Sequence, residues 1–332
     1  MNAFLGIDGG GTKTDFLLID GAGSVLARQR RGSAYHLEIG IDALRKMLVG
    51  GIRDTLAAAA IAPTDITCSF LGLPAYGENE TMRPELDRIA DEILPVGRYY
   101  CANDVVCGWA GALAGNHGIA VIAGTGSIAY GEFGQRSARA GGWGELFGDE
   151  GSAFWIARQL LTLFSQMSDG RIGKGELYGL VRDHFEVSSD LEICGAVSGP
   201  PALTRSELAA LCRLAEEAAR RGDPAAVDMF IQGAQELAAL VHAVRGALHV
   251  AADASVPVSY CGGLLRPDSV LLPLFETALR ARALPYELFP PHMLPSAGAA
   301  SRAAALAHTP LSIDAISRLA GACPAHSVEG LA

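Results

Sequence analysis

Apolar positions along the chain fall into short unbroken runs and longer stretches of helical spacing. Phe4–Ile7 and Asp15–Asp20 flank a glycine loop, and Ser24–Arg31 continues as a third extended stretch after the turn Gly21-Ala22-Gly23. Runs of this length bounded by turn residues predict strands. Ile39–Ala60 places Ile41, Leu44, Met47, Leu48, Ile52 and Leu56 on one helical face. Ile66–Leu73 predicts a strand, Met82–Leu94 a helix, Val96–Ala102 a strand, and Asp104–Leu113 the next helix.

From residue 118 the pattern starts again. Ile119–Ala123 and Ile128–Phe133 read as strands around a second glycine loop, followed by a short extended piece at Ala138–Gly142 and a helix over Gly151–Leu163. Strand, glycine/threonine loop, strand therefore occurs twice, at Gly9–Thr12 and Gly124–Ser127. An internal repeat of this kind predicts two similar α/β domains facing one cleft, with the hinge at Ala114-Gly115-Asn116-His117-Gly118. We expect domains at 1–115, joined by a tail at 311–332, and at 116–310. The second carries a helical insertion over about 165–250, including long helices at Leu203–Arg221 and Ala225–Leu248. A strand at Val256–Cys261, a helix around Val270–Ala283 and a last helix from near Ser296 complete it.

Composition narrows the class. The chain has 332 residues, half of them hydrophobic and 19% charged, with a formal net charge of −10. That balance supports a large core and speaks against a nucleic-acid protein, which needs clustered Lys and Arg; the basic cluster Arg28, Arg30 and Arg31 reads as a solvated face. No apolar stretch reaches the roughly 18 residues of a spanning helix, and the N-terminus leads directly into a strand, so neither a membrane span nor a signal peptide is expected. Seven scattered cysteines without a Cys-x-x-Cys pair indicate neither a zinc site nor a disulfide scaffold. The expected setting is reduced and cytoplasmic.

The 40 glycines gather in loops, and those loops carry the candidate chemistry. In Asp8-Gly9-Gly10-Gly11-Thr12-Lys13-Thr14, consecutive N–H groups can form an anion-binding nest, with hydroxyl donors from the threonines and Asp8 placed to hold Mg²⁺ through water. A strand follows the loop, so it is neither a Walker loop nor a dinucleotide fingerprint. Gly124-Thr125-Gly126-Ser127 stands in the matching place of the repeat, and two such loops could clamp a polyphosphate from both sides. Asp104, after Asn103 at a strand end, reads equally as a helix N-cap or as a general base accepting a hydroxyl proton. Asp149, framed by glycines, reads as a ligand for substrate hydroxyls or metal, whereas Glu150 suits the first turn of the following helix. Gly262-Gly263 ends a strand where a flat base could lie against the backbone.

In order, Gly6-Ile7-Asp8-Gly9-Gly10-Gly11-Thr12, Asn103-Asp104, Gly124-Thr125-Gly126-Ser127, Gly141-Gly142-Trp143-Gly144, Gly148-Asp149-Glu150-Gly151-Ser152 and Gly262-Gly263 resemble the N-acetylglucosamine kinase family. That family belongs to the BadF/BadG/BcrA/BcrD-type ATPases of the actin-like sugar kinase superfamily. The resemblance implies an actin-like ATPase fold, with two ribonuclease-H-like domains flanking a nucleotide and sugar cleft. It further implies ATP and Mg²⁺ as cofactors, an amino sugar as substrate, and a homodimer. By position, Asp104 matches the base that deprotonates the sugar C6 hydroxyl. The phosphate side comprises Gly9, Gly10, Gly11, Thr12 and Lys13 with Gly124, Thr125, Gly126 and Ser127. Ala209, Gly262 and Gly263 match the adenosine side, and Asp8 stands near the metal. Tyr35, His36, Asn103, Asp104, Gly142, Trp143, Gly144 and Asp149 match the sugar side.

Tyr35 and Ile128 depart from the pattern, standing where the family's kinases carry asparagine. Hydrogen-bond recognition is sensitive to such losses. The expected activity is phosphorylation of N-acetylglucosamine to its 6-phosphate, with glucosamine and N-acetylmuramic acid as alternative substrates. A different class, the ATPases that activate radical dehydratases or reductases, is disfavoured because their cysteine-bearing Asn-Asp-Lys-Cys-Ala-Ala-Gly-Thr-Gly segment has no counterpart. A repressor-type relative is disfavoured by the lack of its zinc motif.

Overall fold

The computed structural model describes residues 2–325. It divides into two compact units, one built from residues 2–117 and 290–325 and the other from 118–289.

The first unit begins with β1 (Ala3–Gly9), β2 (Thr14–Asp20) and β3 (Val25–Arg31), three antiparallel neighbours. Next come α1 (His36–Ile39), α2 (Ile41–Ala58), β4 (Ile66–Leu73), α3 (Arg83–Leu86), β5 (Tyr99–Asn103) and α4 (Val105–Leu113). The sheet order is β3-β2-β1-β4-β5, with β4 parallel to both β1 and β5. Central β1 is buried almost throughout, as a strand covered on both faces must be. Leu44, Leu48, Ile52 and Leu56 of α2 cluster with Leu5, Ile7, Phe16 and Leu18. Each aliphatic side chain buried this way contributes about 1.5–3 kcal/mol.

The second unit repeats the plan with β6 (Gly118–Ala123), β7 (Ser127–Phe133) and β8 (Arg136–Gly141). Six helices follow: α5 (Ala153–Ser168), α6 (Glu176–Phe185), α7 (Glu192–Ser198), α8 (Arg205–Ala210), α9 (Cys212–Arg220) and α10 (Pro224–Ala247). The unit ends with β9 (Val256–Cys261), α11 (Leu271–Arg280) and β10 (Tyr286–Leu288). Its sheet order, β10-β9-β6-β7-β8, places β6 as β1 is placed and keeps the same antiparallel and parallel pairings. The repeat read from the sequence is thus a repeat of sheet topology. Helices α5, α9 and α10 supply most of the second core, through residues such as Leu160, Ala215, Leu237 and Val241.

The chain then returns to the first unit with α12 (Pro295–Leu306) and α13 (Ile313–Ala322). The sequence reading grouped residues up to 310 with the second domain, whereas α12 packs on β1 and α4. The reason lies in missing side chains: a Cβ on Gly6 would collide with the backbone at Ser296 and Ala300, so only glycine lets α12 lie on the central strand.

Other boundaries also shift. The helix predicted over Ile39–Ala60 breaks at Gly40, whose φ is +82°. The helix predicted over Met82–Leu94 shrinks to the single turn α3, followed by turns pinned by Tyr99 Oη to Asp91 at 2.5 Å. The strand predicted from Val96 starts at Tyr99, and Val96 itself is exposed. The single helix predicted over Leu203–Arg221 is two, divided at Leu211. Arg30 and Arg31, read as a solvated face, carry ion pairs at the sheet edge with Asp15 at 2.8 Å and Asp54 at 2.5 Å. No helix among the described residues is long and apolar enough to cross a membrane, and among them none of the seven cysteines forms a disulfide.

Two glycines test this account of packing. Gly6→Ala should lower the melting temperature by several degrees or prevent folding, since an overpacked core costs about 1–3 kcal/mol or more. Gly50, inside α2 with open space around its Cα, should respond oppositely: Gly50→Ala should stabilise by about 0.5–1 kcal/mol. Thermal unfolding of the two variants beside the parent checks both signs.

Candidate active site

In the first unit the predicted residues gather at the ends of β1 and β5. The β1–β2 hairpin closes on the Gly9–Thr14 pair, leaving Gly10–Lys13 as a four-residue loop. Gly10 N–H donates to Lys13 O at 2.9 Å, so this donor is used within the loop and does not face a ligand. Gly11, Thr12 and Lys13 are exposed at the tip. The loop is anchored by Ala34 N–H to Gly10 O at 2.9 Å and by the buried Thr14 hydroxyl to Gly32 O at 2.8 Å. That anchorage brings in Tyr35 and His36, which follow on α1. His36 is buried, and its Nδ1 has no hydrogen-bond partner. A buried polar nitrogen without a partner is costly unless a ligand or water completes it, which suits a contact with substrate.

Asp8 pairs with Gly72 of β4, and Gly72 with Ala102 of β5. Gly72 is a residue the sequence reading did not single out. A side chain there would strike Cys107 Sγ and come within 3.1 Å of Asp104 Cα. Glycine at this register position lets the start of α4 settle close above the strands. Cys107 secures the contact by directing its thiol to Ile7 O at 3.6 Å.

Asp104 occupies the N-cap position of α4 but makes no capping hydrogen bond. The cap comes from Asn103, whose Oδ1 accepts the Val105 N–H at 3.1 Å while its Nδ2 donates to Tyr76 O at 3.5 Å. The two readings of Asp104 therefore separate, and its carboxylate is not spent on capping the helix. Burial pushes its carboxyl up to about 7; the adjacent backbone N–H groups of Val105 and Asp104 lower it and Glu78 raises it. Asp8 is pushed to about 8, first by burial, then by Asp104 and Asp15, against the pull of Lys13.

In the second unit, the Gly124–Gly126 loop is braced from within. Gly124 N–H donates to Gly126 O at 3.0 Å, and the start of α5 donates back through Ala153 N–H to Gly124 O at 2.9 Å and Phe154 N–H to Thr125 O at 3.3 Å. Ser127, predicted to bind phosphate, is buried with its hydroxyl donated to Glu150 O at 2.7 Å, so it holds the loop. Asp149 is 3% exposed with φ +59°; its Oδ1 accepts the Ser127 N–H at 3.3 Å. Gly142 and Gly144 have φ of +69° and +87°, the Gly142 N–H reaches Ser127 O at 2.9 Å, and Ile128 packs against Gly142. Trp143 is exposed, with Arg139 over its ring. Gly262 lies against Ala123, with Gly263 exposed beside it, while Ala209 is buried on α8. Arg205 and Glu145, also absent from the sequence reading, form an ion cluster with Asp149. Arg205 lies 56 residues from Asp149 along the chain.

The paired carboxylates of the first unit give a testable linkage. An aspartate ionises near pH 3.9 in an unfolded chain, whereas Asp8 stays protonated to about 8 in the folded one. The folded state binds more protons between these values, so stability should fall as pH rises from about 4 to 8. Asp8→Asn removes that loss. Its ligand-free melting temperature should exceed the parent's by at least about 2 °C at pH 8 and match it near pH 4; equal differences at both pH values would contradict the assignment.

The BadF/BadG/BcrA/BcrD ATPase family matches residues 5–300, from the first strand into α12. The chain is 26% identical to an N-acetyl-D-glucosamine kinase of Dictyostelium discoideum over 307 residues, covering 90% of this chain and 96% of that one. It is 28% identical to an N-acetylmuramic acid/N-acetylglucosamine kinase of Clostridium acetobutylicum, covering 84% and 90%. The crystal structure of a candidate N-acetylglucosamine kinase from Chromobacterium violaceum superposes with a TM-score of 0.69 at 24% identity, covering 90% and 98%. This likeness shows the fold, an actin-like one, which the repeated sheet order had already indicated. With the family matched over this span, the chain belongs to the BadF/BadG/BcrA/BcrD ATPases.

Proposed function

We propose that this protein is an ATP-dependent amino-sugar kinase that transfers the γ-phosphoryl group to the 6-hydroxyl of N-acetylglucosamine. The observation that carries the reading is the Asp104 carboxylate: freed from capping by Asn103, desolvated, and set at a strand end beside Asp8. The kinases of Dictyostelium and Clostridium, similar over most of their lengths, support the substrate class. In the reaction Asp104 accepts the proton of the C6 hydroxyl as the oxygen bonds to phosphorus, and ADP leaves. Positioning and charge neutralisation supply most of the rate in such transfers.

Lys13 and the exposed Thr12 of the first loop, with Thr125 of the second, are the groups we assign to the phosphates, and Gly262-Gly263 with Ala209 to the nucleoside. His36 Nδ1, Asn103 and Asp149 are assigned to the sugar. Mg²⁺ binds through one or two carboxylates plus phosphates while keeping several waters. Asp8, whose charge is opposed by neighbouring carboxylates, fits that donor set, and no cluster of three or more His, Cys, Asp or Glu forms a cage among the described residues. Such an ion, when bound, would neutralise polyphosphate charge. Tyr35 and the half-buried Ile128 keep glucosamine and N-acetylmuramic acid as alternative substrates. A cytoplasmic homodimer completes the reading.

The test is sugar-dependent ADP formation with Mg-ATP across N-acetylglucosamine, glucosamine and N-acetylmuramic acid, with the product's phosphate position read by NMR. Absence of sugar-dependent turnover on the panel refutes the proposal. Asp104→Asn should lose about 100-fold or more in kcat while binding sugar as the parent does. Because the base acts only when ionised, kcat/KM of the parent should fall as pH drops below about 7.

A further inference from the structure

One basic side chain of the second unit reaches two acidic residues in a way its own helix does not require. Arg205 is the first residue of α8, next to the positive end of the helix dipole, where a cation is disfavoured. Thr204 and Glu207 already complete the capping box there. Arg205 instead turns to the glycine-rich segment, with Nη2 2.5 Å from Asp149 Oδ2 and Nε 2.5 Å from Glu145 Oε2. Asp149 stands in the left-handed region that non-glycine residues adopt only when neighbouring contacts hold them. Gly126 lies against this pair: a Cβ there would approach both Asp149 oxygens and Arg205 Nη2 to 2.9–3.0 Å.

An ionised carboxylate offers about four lone-pair positions. On Asp149 one is taken by the Ser127 N–H and another by Arg205, which leaves two whose direction those partners set. Burial alone would favour the neutral acid, and Arg205 opposes it.

We propose that Arg205 is a positioning residue for sugar binding, clamping Asp149 between its guanidinium and the Ser127 N–H so that the remaining carboxylate lone pairs face substrate hydroxyls. The inference rests on the reading of Asp149 as a sugar contact. A merely structural role would look different. Arg205 shares α8 with Ala209, assigned above to the nucleoside, so loss of an anchor for this helix would disturb ATP as much as sugar.

Steady-state kinetics with N-acetylglucosamine and Mg-ATP separate these cases. Arg205→Met should raise the sugar KM about tenfold or more, leave the ATP KM within about twofold, and be partly rescued in Arg205→Lys. Asp149→Asn should raise the sugar KM at least as far, and adding Arg205→Met to it should cause no further rise, because the two act as one unit. Should Arg205→Met fail to fold, Glu145→Gln, at the solvent side of the clamp, carries the test with a smaller rise in sugar KM, about threefold. An unchanged sugar KM in Arg205→Met or in Glu145→Gln, parallel rises in both KM values, or multiplying effects in the double variant would overturn the inference while an Asp149→Asn effect left the sugar contact standing. An unchanged sugar KM in Asp149→Asn removes the contact itself and the inference with it.

Discussion

The first unit depends on a close backbone approach at Gly72. Without a side chain there, the start of α4 settles onto β4 and carries Asp104 to within electrostatic reach of Asp8. Two carboxylates in such a place oppose each other, and the protein packed around them disfavours both charges. The arrangement persists because the register of β1, β4 and β5, the Cys107 contact and the Asn103 cap determine the backbone independently of the charges. A cation bound beside the two groups would relieve that opposition, whereas an anion without one would add to it. Carboxylates perturbed by burial and by one another in this way are a common mark of functional sites.

The two units share a topology but use their hairpin loops differently. The first loop is anchored at its base and open at its tip, with a lysine among the exposed residues. The second is held by the N-terminus of α5 and by Asp149 beneath it, so that several of its polar groups serve to fix its shape. The same scaffold thus occurs twice, in one copy with an exposed loop tip and in the other with a loop braced from within. The helical insertion adds Arg205 to that platform from outside the repeated core.

Much of this was legible from residue order. Apolar runs located most strands, and the doubled strand–loop–strand pattern foretold the doubled sheet, because strands covered on both faces need continuous hydrophobic stretches. Asp8 and Asp149 were visible as polar residues beside glycines, and Asp104 as a carboxylate at the junction of a strand and a helix. Less legible were the segments where side-chain hydrogen bonds override periodicity, as in the turns around Tyr99 and Asp91 that replace a predicted helix.

What the sequence determined by itself was local: the type of most elements, the repeat, and which loops are candidates for chemistry. Only the tertiary structure decided that α12 belongs with the first unit, that Asn103 and not Asp104 caps α4, that Ser127 is structural, and that Arg205 meets Asp149. The seat of α12 depends on the absence of a Cβ at Gly6, the fixing of Ser127 on a hydrogen bond to Glu150, and the meeting of Arg205 with Asp149 on an ion pair across the fold. The Asn103 cap is a local hydrogen bond that residue order leaves undecided between two neighbours. Periodicity records which face of an element is buried, but not what it is buried against.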